Sequence, residues 1–201
     1  MWQYFLKGGF MMWPLFACSV ISLAIIIERF FYFRKLARLD QEFLESLSKH
    51  LHGGAIAEAT AACTKFATPL ALVLRSGLEK LSQGKEAIKI SIEESSMNHT
   101  TKLEKYLPFL AAIASVSTLM GFTGTVLGMI KAFGSIAREG VSSPAIVASG
   151  IGEALITTAT GLLIAIPTVI AYHYFNYRVD NEYRIIESYS NDIANINYSN
   201  Q

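Results

Sequence analysis

Three stretches of the chain carry almost no charged side chains: residues 10–27, 107–130 and 151–171. Each reaches the length of about 17–25 residues that a helix needs to cross a bilayer, so each predicts a membrane span. With their flanks the expected spans are 10–33, 106–136 and 146–175, leaving segments 1–9, 137–145 and 176–201 outside the bilayer. Residues 34–105 read instead as helices with mixed faces. Asp40 is expected to cap a helix whose apolar positions are Phe43, Leu44, Leu47 and Leu51, ended by Gly53 and Gly54. An Ala-rich helix follows at 55–66, then one at 70–81 behind Pro69, ended near Gln83 and Gly84. From Glu86 no breaker occurs before Pro108, while Ile88, Ile92, Leu103 and Leu107 keep helical spacing. One helix is therefore expected to run straight into the second span, with Pro108 kinking it or marking the membrane surface. The fold class is all-α: a polytopic membrane protein with three transmembrane helices and long helices extending into a helical aqueous region.

Composition agrees. Apolar residues make up 52% and charged residues 16% of the 201, with a mean hydropathy of +0.36, against about 25% charged in soluble domains. The formal charge of +1 says little about partners, and nothing suggests nucleic acid. Cys18 lies in the first span and Cys63 in the aqueous region, so no disulfide joins them. The four histidines (His50, His52, His99 and His173) are scattered, and no metal site, cofactor or enzyme constellation is expected.

Basic residues orient the chain. Twelve lysines and arginines lie between Arg29 and Lys105 and two, Arg178 and Arg184, follow the third span. Only Lys7, Lys131 and Arg138 lie on the other side. The positive-inside rule then puts the N-terminus outside, residues 34–105 and 176–201 in the cytoplasm, and the loop at 137–145 outside. The first apolar run is longer than the core of a signal peptide and is followed, not preceded, by most of its basic residues, so a retained anchor is expected.

The third span contains Glu153, and an acidic group near a bilayer centre costs roughly 2.5–3.5 kcal/mol on insertion scales. Such residues usually face a bundle interior or a water-filled path. At 100° per residue from Glu153, Thr157 falls near 40°, Gly161 near 80°, Ala165 near 120° and Thr158 near 140°, one small, hydroxylated stripe, with Leu155, Ile156, Ala159, Leu162, Leu163 and Ile166 assigned to the other side. On the second span Thr118, Gly121, Thr125 and Gly128 recur at steps of three and four, and Gly124 with Gly128 forms G-x-x-x-G. That face lets another backbone approach closely. Packing competes with function for each threonine, since transmembrane hydroxyls often bond to the preceding turn. For Glu153 the cost of burial favours a functional or assembly role, and the carboxyl group is expected to be partly neutral when no cation is near.

The second-span motif Gly121-Phe122-Thr123-Gly124-Thr125-Val126-Leu127-Gly128-Met129 resembles that of the ExbB/TolQ/MotA family of ion-channel motor subunits. So does the third-span motif Gly152-Glu153-Ala154-Leu155-Ile156-Thr157-Thr158-Ala159-Thr160-Gly161, which continues to Pro167. The opening Gly8-Gly9-Phe10-Met11-Met12-Trp13-Pro14 and the Glu28-Arg29 pair are similar too. Three spans and a short C-terminal segment resemble the ExbB/TolQ branch rather than the four-span flagellar stator branch.

The resemblance implies an inner-membrane homo-pentamer whose second and third spans line a pore around the transmembrane helices of an ExbD/TolR-like dimer, itself acting on a TonB/TolA-like energy transducer. The ionisable aspartate lies on the partner in that family. Thr125 and Thr158 match its pore-lining threonines and Glu153 its third-span glutamate. With Thr157 these make the expected ion pathway, while Gly121, Gly124, Gly128 and Gly161 are the expected packing glycines. The expected function is conversion of ion-motive force, carried by protons, into work on envelope processes such as TonB-dependent uptake. The hydroxyls of Thr157 and Thr160 leave sodium open. The chain departs from the family at Ala171-Tyr172-His173, where asparagine is usual; His173 is an interfacial residue or a proton acceptor near the inner exit. A passive scaffold for envelope proteins and a solitary transporter are the competing readings. A scaffold gives no reason for Glu153, and three spans offer no inverted repeat for a transporter.

Overall fold

Between Leu15 and His52 the chain contains neither glycine nor proline, and nothing stops a helix once begun. The computed structural model describes residues 8–52, 55–139 and 144–199, and in it α1 runs unbroken over Met12–His52. It is followed by α2 (Ile56–Phe66), α3 (Pro69–Leu78), a 3₁₀ turn (Leu81–Gln83), α4 (Lys85–Thr100), α5 (Leu107–Glu139) and α6 (Pro144–Ser199). No strand occurs among the described residues. Helices α1, α5 and α6 each contain a window long and apolar enough to cross a membrane. At most 28% of any of those windows is buried, so most of their apolar surface is left for lipid or other chains.

Three expectations are corrected. Asp40 does not cap a helix: it lies deep inside α1, buried, because no breaker precedes it and packing overrides a local capping preference. Nor does α4 continue into the second span. It ends at Thr100, and α5 begins at Leu107 after six non-helical residues. Tyr106 adopts a left-handed φ of +69°, which breaks the helical path, and its carbonyl accepts from Leu110 N. Pro108 is therefore a first-turn residue of a new helix, where its missing N–H costs nothing. Helix α3, expected over 70–81, also stops sooner, at Leu78. The stop expected at Gly53 and Gly54 lies outside the described residues, although α1 ends beside it.

The chain divides into two units. The first comprises Met1–Glu28 and Tyr106–Tyr174. Here α5 and α6 meet backbone to backbone. A Cβ added to Gly161 would stand 2.6 Å from the Ser117 carbonyl oxygen and 2.9 Å from Gly121 Cα. Farther along, Gly128 sits against Gly150 and Ala154, and Gly150 against Ala132. Phe122, Leu155, Leu163 and Ile170 point outward. Pro167 lies inside α6, where apolar surroundings and packing tolerate it, and the neighbouring Thr168 hydroxyl donates to Ile164 O at 2.7 Å.

The second unit comprises Arg29–Lys105 and Phe175–Gln201. Its core joins Phe43 and Leu47 of α1, Ala59 and Cys63 of α2, Leu70, Val73 and Leu74 of α3, Ile88 and Ile92 of α4, and Ile186 and Ile193 of α6. The corner between α2 and α3 is set locally. Ala67, at φ +50°, closes α2 by donating to Cys63 O; Thr68 then caps α3, its hydroxyl accepting from Ala71 N at 3.2 Å ahead of Pro69. Helices α3 and α4 are clasped by Ser76 and Ser91: the Ser91 hydroxyl donates to Ser76 O at 3.0 Å, and the Ser76 hydroxyl lies 3.0 Å from Ser91 O and 2.7 Å from Val73 O in its own helix. The break after α4 is held from two sides. Arg29 donates to Lys102 O at 3.3 Å, and Tyr183 of α6 donates to Glu104 at 3.2 Å.

Candidate functional site

The polar stripe of the third span begins with Glu153, in α6 within the first unit. Its side chain is 22% exposed, and Oε2 accepts from Lys131 Nζ of α5 at 2.7 Å. The other carboxylate oxygen lies against Gly9, whose φ of +69° and missing Cβ leave room for it. One turn on, Thr157 is fully buried. Its hydroxyl faces two carbonyls, Glu153 O at 2.8 Å and Gly8 O at 2.9 Å. With one proton to give, it can donate fully to only one at a time. Gly124 packs directly on the Thr157 side chain.

Thr158 is half-buried and bridges the two helices: its hydroxyl lies 3.0 Å from Gly121 O on α5 and 3.2 Å from Ala154 O in its own preceding turn. Thr125, also half-buried, donates to Phe122 O at 2.6 Å. It lines a shallow apolar hollow of about 510 Å³ with Val126, Met129, Ile130 and Phe133. Thr118, Thr123 and Thr160 each bond to the carbonyl one turn earlier, the satisfaction expected of a hydroxyl in a transmembrane helix. Glu153, Thr157 and Thr158 are thus brought together with residues 8–9, 121 and 131. The glycines Gly121, Gly124, Gly128 and Gly161 all lie in the contact between α5 and α6. His173 is exposed, its ring edge-on to Tyr172 at 5.2 Å.

Lys131 is a partner that sequence reading missed. It is 22 positions from Glu153, on another helix, and periodicity relates residues only within one helix. A second group was missed in the other unit, beyond the spans expected at 10–33 and 146–175. Asp40, Arg178 and Glu182 line a groove of about 370 Å³ with Gln41, Glu45 and Tyr189. Burial pushes the Asp40 carboxyl up to about 6. Burial, reinforced by the charge of Asp40 and opposed by Arg178, pushes Glu182 up to about 7. Among the described residues no cluster of three or more His, Cys, Asp or Glu side chains could hold a metal ion.

Residues 65–188 match the MotA/TolQ/ExbB proton channel family, a range that contains both motif-bearing spans. The biopolymer transport protein exbB1 of Vibrio cholerae is 33% identical over 178 residues, covering 80% of this chain and 72% of that protein. The Tol-Pal system protein TolQ of Pseudomonas aeruginosa is 51% identical over 77 residues, 38% of this chain and 33% of TolQ. The biopolymer transport protein ExbB of Neisseria gonorrhoeae is 38% identical over 91 residues, 45% of this chain and 41% of that protein.

Proposed function

The chain belongs to the MotA/TolQ/ExbB proton channel family, on its ExbB/TolQ-like side, and from that premise we propose that it is the channel-forming subunit of an ion-driven motor. It works in the bacterial inner membrane as a homo-pentamer around the single-span helices of an ExbD/TolR-like dimer. Through a TonB/TolA-like transducer it turns ion-motive force into work on the envelope. The N-terminus and the loop at 137–145 face outward, and residues 34–105 and 176–201 face the cytoplasm.

One observation carries this reading: a carboxyl group only 22% exposed inside an apolar span, on the helix whose Thr158 hydroxyl reaches across to α5. A carboxylate draws a cation toward the span, and hydroxyls pass it on, because they donate and accept hydrogen bonds without a fixed charge to trap it. The cation is then bound and released at an acid on the partner, beside Thr158 and Thr125. Thr157 serves this path indirectly, holding residue 8 against α6 while its neighbour Glu153 faces the ion. Protons are the expected cation, with sodium as the alternative that the density of hydroxyls supports.

Ion flux through vesicles containing the complex with its single-span partner tests the reading. Thr158→Val and Thr125→Val keep shape and remove the hydroxyl, so each is expected to leave a pentamer by native mass spectrometry while flux is strongly reduced. Normal flux in both variants would make these threonines packing residues and favour a scaffold; a stable monomer would remove the pore.

A further inference from the structure

The ion pair between α5 and α6 is unequal. Glu153 is 22% exposed and Lys131 is 69% exposed. One carboxylate oxygen fills the space that the missing Cβ of Gly9 leaves and the other accepts the bond from Lys131, while the Thr157 hydroxyl lies 2.8 Å from the Glu153 carbonyl oxygen beneath it. Lys131 is a hydrated point charge at the end of a flexible four-carbon stem. The acid is therefore the fixed member of the pair and the ammonium the movable one.

A cation that approaches Glu153 meets a carboxylate already neutralised at 2.7 Å. One carboxylate with a single open side cannot hold the ammonium and a second cation at full strength, because the two positive charges repel across a few ångströms. The pair is also weak enough to part: ion pairs this exposed shift a balance by no more than about fivefold. A stronger bond would lock the site.

We propose that Lys131 is a tethered competitor for the cation that Glu153 receives, so that the lysine and the mobile ion occupy the carboxylate in turn. This rests on the ion-path reading and adds a device to it. Each arriving cation frees the ammonium and each departing one lets it return, which keeps Glu153 from standing as a bare charge inside the span and limits leakage at rest. Specificity follows as well, since the ion admitted is one that can displace a primary ammonium from a single carboxylate.

Amine acylation of the full-length protein in phospholipid vesicles, read lysine by lysine with peptide mass spectrometry, tests it. Lys49 and Lys89, both exposed, serve as references in the same chain. Lys131 is expected to react about fivefold more slowly than they do and to reach their rate in Glu153→Gln. In the unaltered protein the ratio of its rate to theirs should also rise toward one as sodium replaces choline at constant ionic strength or, for a proton-coupled chain, as the pH is lowered. Reaction at the reference rate at rest would overturn the proposal, and so would protection that neither cation relieves.

Flux gives a second measurement that does not depend on acylation. In the complex with the single-span partner, Lys131→Gln is expected to raise resting cation flux several-fold; resting flux unaltered in Lys131→Gln overturns the competition. Loss of flux in Thr158→Val with Lys131 insensitive to cations would sink the competitor and leave the path intact. Normal flux in both Thr158→Val and Thr125→Val would sink the path itself.

Discussion

The hydroxyl of Thr157 lies 2.9 Å from the carbonyl oxygen of Gly8, 149 positions earlier in the chain, and 2.8 Å from that of Glu153, so its one proton is shared between them. Both groups are buried, so removing the donor strands an acceptor, which costs about 1–3 kcal/mol. Thr157→Val is expected to unfold at lower temperature than the parent protein in the same detergent, and Thr157→Ser to recover most of the loss. Equal unfolding temperatures for all three would mean that the bond holds nothing in place.

Close approach of α5 and α6 makes a sharp contrast between two glycines of the same helix. A methyl group at Gly161 would meet backbone atoms 2.6 and 2.9 Å away, whereas one at Gly152 would meet nothing within 4 Å. Backbone cannot rotate aside as a side chain can, so Gly161→Ala is expected to destabilise by about 1–3 kcal/mol, the usual cost of overpacking. Gly152→Ala should be neutral or stabilising by up to about 1 kcal/mol through helix propensity. Thermal unfolding of the two variants side by side decides it.

Proton linkage in the second unit has a definite sign. Asp40 and Glu182 rise from ordinary values of 3.8 and 4.5 to about 6 and about 7. The folded state therefore binds more protons than the unfolded one between about pH 4 and 7, and stability falls as pH rises through that window. The contribution is fully present below about pH 4 and gone above about pH 7. Asp40→Asn and Glu182→Gln should flatten that slope and, at about pH 8, melt above the parent; a slope unchanged in both would remove these carboxyls from the account.

Cys63 lies fully buried in the core of that unit. Burial, only partly offset by Arg75, pushes its thiol up to about 11, so almost no thiolate exists at neutral pH and no reagent reaches it in the folded state. Labelling of Cys63 by a maleimide is expected to follow the unfolding of this unit through a denaturant series. Rapid labelling without denaturant would contradict the packing of α2 against its neighbours.

What the sequence revealed, and what it hid, divides by the range of the interaction. Runs of apolar residues and the three-and-four spacing of Gly121, Gly124 and Gly128 are local patterns, so the spans and their close contact were legible. Asp40 looked like a cap because a cap is also read locally; its burial beside Arg178 and Glu182 of α6 depends on residues far along the chain. The break after Thr100 carries no glycine and turns on Tyr106 at a positive φ, supported by Arg29 and Tyr183 from other helices. The pairing of Lys131 with Glu153 required two helices to be laid side by side, which a single helical period cannot do.

Where α5 meets α6, most of the facing residues are glycine or alanine: Gly121, Gly124, Gly128, Gly150, Ala154 and Gly161, with the short side chains of Thr157 and Thr158 among them. Side chains of this kind have almost no rotamer freedom to surrender, whereas long ones give up as much as about 2 kcal/mol each on being ordered. The joint therefore has little slack of the sort that lets packed helices slide and re-seat their side chains. A torque applied to one helix passes to the other as displacement of the pair, with no reshuffling between them to absorb it.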